Sequence, residues 1–305
     1  NFIPADPDVL KYDDTSGTRI SLGKDSGNGP VTIANVANAT EKDEAVNLGQ
    51  MDAAIEAKRT KYFSVNSADT SNRDNTGATA KDSIAVGPSA LASAENSMAM
   101  GSHVSALGKN SLALGNSRTQ AKGENSVAIG QHALSMEENS IAIGNDAYVQ
   151  GKTSGGVETA KDAMAIGTRA MATADRAIAQ GHQAKAIAIS SMAQGDDAYA
   201  TGENSIAQGK SSRAMNRNAI ATGNQAEALG ENSIATGNLA KATNHDAIAT
   251  GNQAEASGYS SIATGTKANA NGENAIATGT KAKALAKNAI ATGTEALAEG
   301  KDAIA

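Results

Sequence analysis

The sequence predicts an all-β fold, a flat parallel roll of 14-residue repeats. Three observations predict it: a fixed period, an alternation of side chains inside the period, and an apolar fraction made of small residues. The motif x-Ala-x-Gly places its leading apolar residue at Ile84, Met98, Leu112, Val127, Ile141, Met164, Ile178, Met192, Ile206, Ile220, Ile234, Ile248, Ile262, Ile276, Ile290 and Ile304. Thirteen of the fifteen intervals are 14 residues; the others are 15, before Val127, and 23, before Met164, so the period survives one point insertion and one of nine residues. A repeat of this kind buries its face by stacking on its neighbours.

Fourteen is also two heptads, so a coiled coil is the rival. From Ile276 the heptad asks for apolar residues three, seven and ten positions on and meets Gly279, Lys283 and Ala286. A glycine in every repeat would also cost a helix about 1 kcal/mol each relative to alanine. Alternation fits instead. In the first strand Ile276 and Thr278 point one way and Ala275 and Ala277 the other. Gly279 makes the first corner, where a positive φ or a close backbone approach is easiest. In the second strand Ala282 and Ala284 face inward and Lys281 and Lys283 outward. The second corner carries Gly-Glu-Asn, as at Gly202-Glu203-Asn204, Gly230-Glu231-Asn232 and Gly272-Glu273-Asn274. Two strands of about five residues cannot close a three-sided prism, so the coil is flat, its interior lined by alanine and its bulky column facing out. A continuous outward apolar column needs a covering chain, and self-association along the rod is expected. The column two residues later runs through Val86, Met100, Leu114, Ile129, Ile143 and Ile166, then Gln180, Gln194 and Gln208, then Thr222, Thr236, Thr250, Thr264, Thr278 and Thr292. These polar rungs suggest a seam in which facing side chains bond to one another or to water.

Composition narrows the function. The 305 residues are 2% aromatic, with no Trp and 31 Gly, and stability must come from many stacked copies or from partner chains. A net charge of −6 without long runs of one sign argues against nucleic acid and anionic membrane as partners. The absence of cysteine excludes a disulfide framework and a thiolate metal cluster. No stretch reaches the ~20 apolar residues of a spanning helix, so the membrane is expected to be reached only through an anchor absent from this fragment.

The repeats Asn125-Ser126-Val127-Ala128-Ile129-Gly130 and Asn139-Ser140-Ile141-Ala142-Ile143-Gly144 resemble the head repeats of YadA-like trimeric autotransporter adhesins, and the resemblance runs from Ser83 to Ala305. It implies a left-handed parallel β-roll in a homotrimer, preceded by a neck and a short trimeric coiled coil. Residues 1–30, with Tyr12-Asp13-Asp14, look like the small β connector that often precedes a neck. Residues 31–50, with Val31-Thr32-Ile33-Ala34-Asn35-Val36-Ala37, resemble the neck itself. Thr40 with Asp43 can cap a helix, and Leu48, Met51, Ile55 and Tyr62 keep a helical rhythm that Lys58 interrupts, which makes 51–63 the coiled-coil segment. The head then covers 64–305. The resemblance further implies a passenger on the outer surface of a Gram-negative bacterium that attaches to host cells through receptors or matrix proteins such as collagen, or to other bacterial cells.

No residue constellation supports catalysis, a cofactor or a metal. His103, His132, His182 and His245 lack cysteine or paired carboxylates at ligand spacing. The trimer seam is expected along Ile84, Met98, Leu112, Val127 and Ile141, then Gln180, Gln194, Gln208, Thr222, Thr236 and Thr250. Four residues after the corner glycine lies another outward column. Its later half, Arg213, Glu227, Lys241 and Glu255, alternates in sign and reads as a structural ladder of exposed ion pairs. Its earlier half exposes Leu134, Tyr148, Met171 and Tyr199 beside an inserted loop with Lys152, Thr153, Val157 and Glu158, and this is the candidate ligand surface. The alternatives are a spacer rod without a ligand, an ice-binding solenoid using its Thr column, and a hexapeptide-type acyltransferase, which the 14-residue period disfavours.

Overall fold

A computed structural model describes residues 16, 32–58, 66–68, 71–151 and 159–305. The 1–30 connector apart from Ser16, Val31, Tyr62, and Lys152, Thr153, Val157 and Glu158 lie outside the described residues. The chain divides into two units, Asn1–Val65 and Asn66–Ala305.

In the first unit one helix, α1 (Leu48–Lys58), follows an extended stretch and a turn. Its cap is Asn47, whose Oδ1 accepts the Gln50 N–H at 2.9 Å while its backbone carbonyl takes the Met51 N–H at 3.1 Å. The Thr40–Asp43 cap expected from sequence does not form. Glu44, one residue on, turns its carboxylate back to the N–H groups of Thr40 and Glu41 and to the Thr40 hydroxyl, closing a turn ahead of the helix. Those bonds hold the Glu44 carboxyl below its ordinary value, the Thr40 N–H contributing most. Gln50 ties the helix back to the extended stretch, accepting the Ala39 N–H at 2.8 Å and donating to the Ala39 carbonyl at 2.9 Å.

The second unit is a parallel β-roll of two 15-stranded sheets. One sheet collects the first strand of every coil, from Ile84–Val86 to Ile290–Thr292, and the other the second strand, from Leu91–Ala92 to Leu297–Ala298. Each strand pairs in parallel with its equivalent one coil on, as in Ile276↔Ile290, Ala277↔Ala291 and Thr278↔Thr292. The strands are shorter than sequence suggests. Most span three residues in the first sheet and two in the second, because both corners take their residues from the same 14.

The core is alanine. In the coil of Ile276, Ala275, Ala277, Ala282 and Ala284 are fully buried, and Val104 and Val149 are the only larger apolar residues buried among those described. Serine replaces the first alanine in several coils: at Ser97, Ser191, Ser233 and Ser261 its hydroxyl donates to the carbonyl three residues back at 2.6–2.7 Å, whereas the buried hydroxyls of Ser111, Ser126 and Ser205 have no hydrogen-bond partner. The leading Ile column is half-buried and the Thr column after it is mostly exposed, so the bulky residues do face outward.

Both insertions are absorbed at corners. The extra residue before Val127 widens the first corner, where Ser117 and Arg118 both take a positive φ and the Thr119 hydroxyl donates to the Asn116 carbonyl at 2.8 Å. The nine-residue insertion enters after the second strand Tyr148–Val149, and pairing resumes with Ile141↔Met164 and Tyr148↔Met171.

Candidate ligand-binding face

The parallel ladder of the second sheet fixes the candidate column. Leu134↔Tyr148↔Met171↔Lys185↔Tyr199 are successive partners, so their side chains stack on one outer face, one coil apart. Leu134, Tyr148, Met171 and Tyr199 are half-buried there, less exposed than a lone outward column implies, because each packs against the coils on either side. Three of the four, Leu134, Tyr148 and Met171, line one groove of about 820 Å³ together with His132, Asp146, Gln150, Gly151, Arg169, Thr173, Gln183 and Lys185. Tyr199 sits apart, in a neighbouring depression of about 240 Å³ with Lys185, Asp197 and Arg213.

Inside the groove the Tyr148 hydroxyl donates to Gln150 Oε1 at 2.7 Å, which tethers the ring along its own strand. Burial, reinforced by the nearby charge of Glu137, raises the Tyr148 phenol above its ordinary value, so it stays a donor at neutral pH. Glu137 is itself held by the Gly151 N–H at 3.2 Å. His132 Nδ1 lies 3.3 Å from Asp146 Oδ1. Thr173 is 3% exposed and its hydroxyl has no hydrogen-bond partner.

The sign-alternating half of the column is only partly a ladder. Glu227 meets Arg213 on one side and Lys241 on the other, each at 3.6 Å, but among the described residues no ion pair joins Lys241 to Glu255. Shorter ion pairs, which sequence reading passed over, lie along the second corner. Lys109 pairs with Glu95 at 3.2 Å, Lys161 with Glu138 at 2.9 Å across the nine-residue insertion, and Lys287 with Glu273 at 3.0 Å. The Glu138 hydrogen bond raises the Lys161 ammonium above its ordinary value. Beside these pairs the corner asparagines form an amide ladder. Asn96, Asn110 and Asn125 each donate from Nδ2 to the Oδ1 of the next coil's Asn at 2.9–3.0 Å, and Asn139 continues to Asp162 at 2.9 Å. The signal was present in the recurring Gly-Glu-Asn, whose Glu position often alternates with Lys from coil to coil.

The residues expected in a seam lie on the outer face of the first sheet. Ile84, Met98, Leu112, Val127 and Ile141 form one unbroken column. Gln180, Gln194, Gln208, Thr222, Thr236 and Thr250 form part of the column beside it. Within it the Gln rungs bond along the rod, Gln208 to Gln194 at 3.1 Å and Gln194 to Gln180 at 3.3 Å.

Comparison with curated proteins returns no match. The family described as the YadA head domain repeat (2 copies) matches residues 78–103, 106–133, 121–147, 159–184, 186–212, 216–240, 242–268, 256–282, 270–296 and 284–305. These stretches take in nearly the whole roll, and their boundaries fall on its coils. With a 14-residue coil, an alanine core and a glycine corner repeated throughout, the chain belongs to the family of YadA-like trimeric autotransporter adhesin heads.

Proposed function

We propose that the roll is the ligand-presenting head of a homotrimeric adhesin, displayed outside the outer membrane of a Gram-negative bacterium and binding host receptors, matrix proteins such as collagen, or other bacterial cells. The observation that carries the reading is where the bulk lies. The interior takes alanine, while Ile84, Met100 and Leu114 stand 45%, 38% and 38% exposed on the outer face of the first sheet, in a two-column apolar strip that runs on to Ile166. A strip of that length on a rod is covered when copies pack along it.

The first unit supports the same reading. Helix α1 has no buried residue and carries Leu48, Met51 and Ile55 at 67%, 49% and 60% exposure, the stripe a short trimeric coiled coil would close after a 31–50 neck. Among the described residues no helix is long and apolar enough to cross a membrane. Covering the first sheet leaves the second facing solvent, so three copies of the Leu134, Tyr148, Met171 and Tyr199 face act together, and avidity supplies what a single weak contact lacks. Lys152, Thr153, Val157 and Glu158 adjoin that face in sequence and belong to the same proposal.

The test is adhesion of cells displaying the protein to immobilised matrix proteins. Replacing Tyr148, Met171 and Tyr199 together by Asn, the residue Asn269 supplies at the equivalent position of another coil, is expected to abolish adhesion with the β circular dichroism unchanged. Undiminished adhesion would favour the spacer rod.

A further inference from the structure

Two cations and one carboxylate line the groove. Arg169 and Lys185 line it, both exposed, and neither has an ion-pair partner among the described residues. Asp146, which shares the groove, lies against His132 instead. Beside them lies an apolar floor of Leu134, Met171 and the tethered ring of Tyr148.

The backbone beneath that floor offers nothing to a ligand. Leu134, Tyr148, Met171 and Lys185 donate their N–H groups to the carbonyls of Ala147, Ala170, Ala184 and Ala198 in the next coil, at 2.8–2.9 Å. An extended peptide binds a sheet by adding a strand to a free edge, and there is no free edge here. Recognition must therefore come from side chains alone, through a flat apolar surface flanked by unpaired positive charge. A pyranose ring bearing an acid group meets both demands, its C–H face on Tyr148 and Met171 and its charge toward the cations. From Leu134 to Lys185 the column spans three coil steps, ~14 Å at the spacing of paired strands.

We propose that this groove binds an acidic saccharide, its carboxylate or sulfate held between Arg169 and Lys185 and its ring laid on Tyr148 and Met171. The proposal rests on the reading of the second sheet as the contact face and names the class of ligand taken there.

Isothermal titration of the full chain tests it with four probes: a sulfated heparin hexasaccharide, a hyaluronan hexasaccharide carrying carboxylates alone, a neutral chitin hexasaccharide and an oligoglutamate peptide. At least one acidic sugar is expected to bind about tenfold or more tighter than chitin and oligoglutamate. Binding of hyaluronan would show that carboxylate suffices, and binding of heparin alone that sulfate is needed. The double variant Arg169→Gln with Lys185→Asn, and separately Tyr148→Asn, should each weaken the acidic sugar by about tenfold. Both borrow residues that other coils carry at the same places, Gln183 and Asn269, so folding is preserved. Lys241→Asn, in the same column outside the groove, should change nothing. Equal binding of oligoglutamate would make this an acidic-peptide surface, and an unaffected Tyr148→Asn would reduce it to charge alone; either overturns the proposal. So would silence from both acidic sugars, which would leave adhesion to matrix proteins through the same face standing.

Discussion

Gly251 takes φ +134, and a Cβ built there would sit 2.5 Å from the Gly265 carbonyl oxygen of the next coil. Two separate demands, conformation and space, thus exclude every other residue; all fifteen first corners meet the first with glycine, and all but Gly293, which no further coil follows, meet the second as well. The second corner is more permissive. Gly230 has no positive φ there, the left-handed residue being Asn232, and although a Cβ built on Gly230 would meet the Asn244 carbonyl of the next coil, other coils place Ala188 or Asn244 where Gly230 stands. Gly251→Ala should therefore destabilise the roll by about 2–3 kcal/mol in urea denaturation, the strained backbone and the displaced carbonyl contributing together. A loss within a few tenths of a kcal/mol would mean that the corner does not hold the conformation described. Sequence reading found these glycines because identity repeated with the period. It did not find the left-handed residue two positions after each of them, since Arg169, Leu239 and Lys267 share no side-chain chemistry. The trace they leave is negative: no β-branched residue occupies the position in any coil, which is what steric exclusion from positive φ would produce.

At the level of the strand, the pattern Ile-Ala-Thr states which side is inside, because successive side chains alternate and only alanine fits between two sheets this close. Ala249, fully buried in Ile248–Thr250, therefore has no room to grow. Ala249→Leu is expected to cost about 1–3 kcal/mol by overpacking, read as a lower denaturation midpoint with the slope unchanged. An unchanged midpoint would place Ala249 on the outer face and reverse the assignment of both columns. The strand order, parallel pairing and alanine core were all legible from one repeat unit. The groove was legible only in part. Leu134, Tyr148 and Met171 stood out as large residues in an outward column, but Arg169, Thr173 and Gln183 reach it from corners and neighbouring strands, and their approach depends on how far each corner turns. The helix start was missed for a related reason. Thr40, Asp43 and Asn47 are all chemically fit to cap, and what decides among them is that Glu44 spends its carboxylate on the preceding turn.

Across the whole molecule, a stack of near-identical coils distributes stability evenly, each coil resting on its neighbours. Such a rod gains length by adding coils, yet every added coil lengthens the outward apolar column as well. That column changes character along its length. Up to Ile166 both outward positions of the first strand are apolar, and from Gln180 onward the second is Gln or Thr, so the first half carries more surface for a partner chain to cover. Sedimentation equilibrium on the folded chain tests the central claim, that the roll is complete only when three copies cover one another's bulky face. A particle of three times the 30.5 kDa chain mass with a β-sheet dichroism spectrum is expected. A folded, soluble particle of 30.5 kDa with the same spectrum would contradict it.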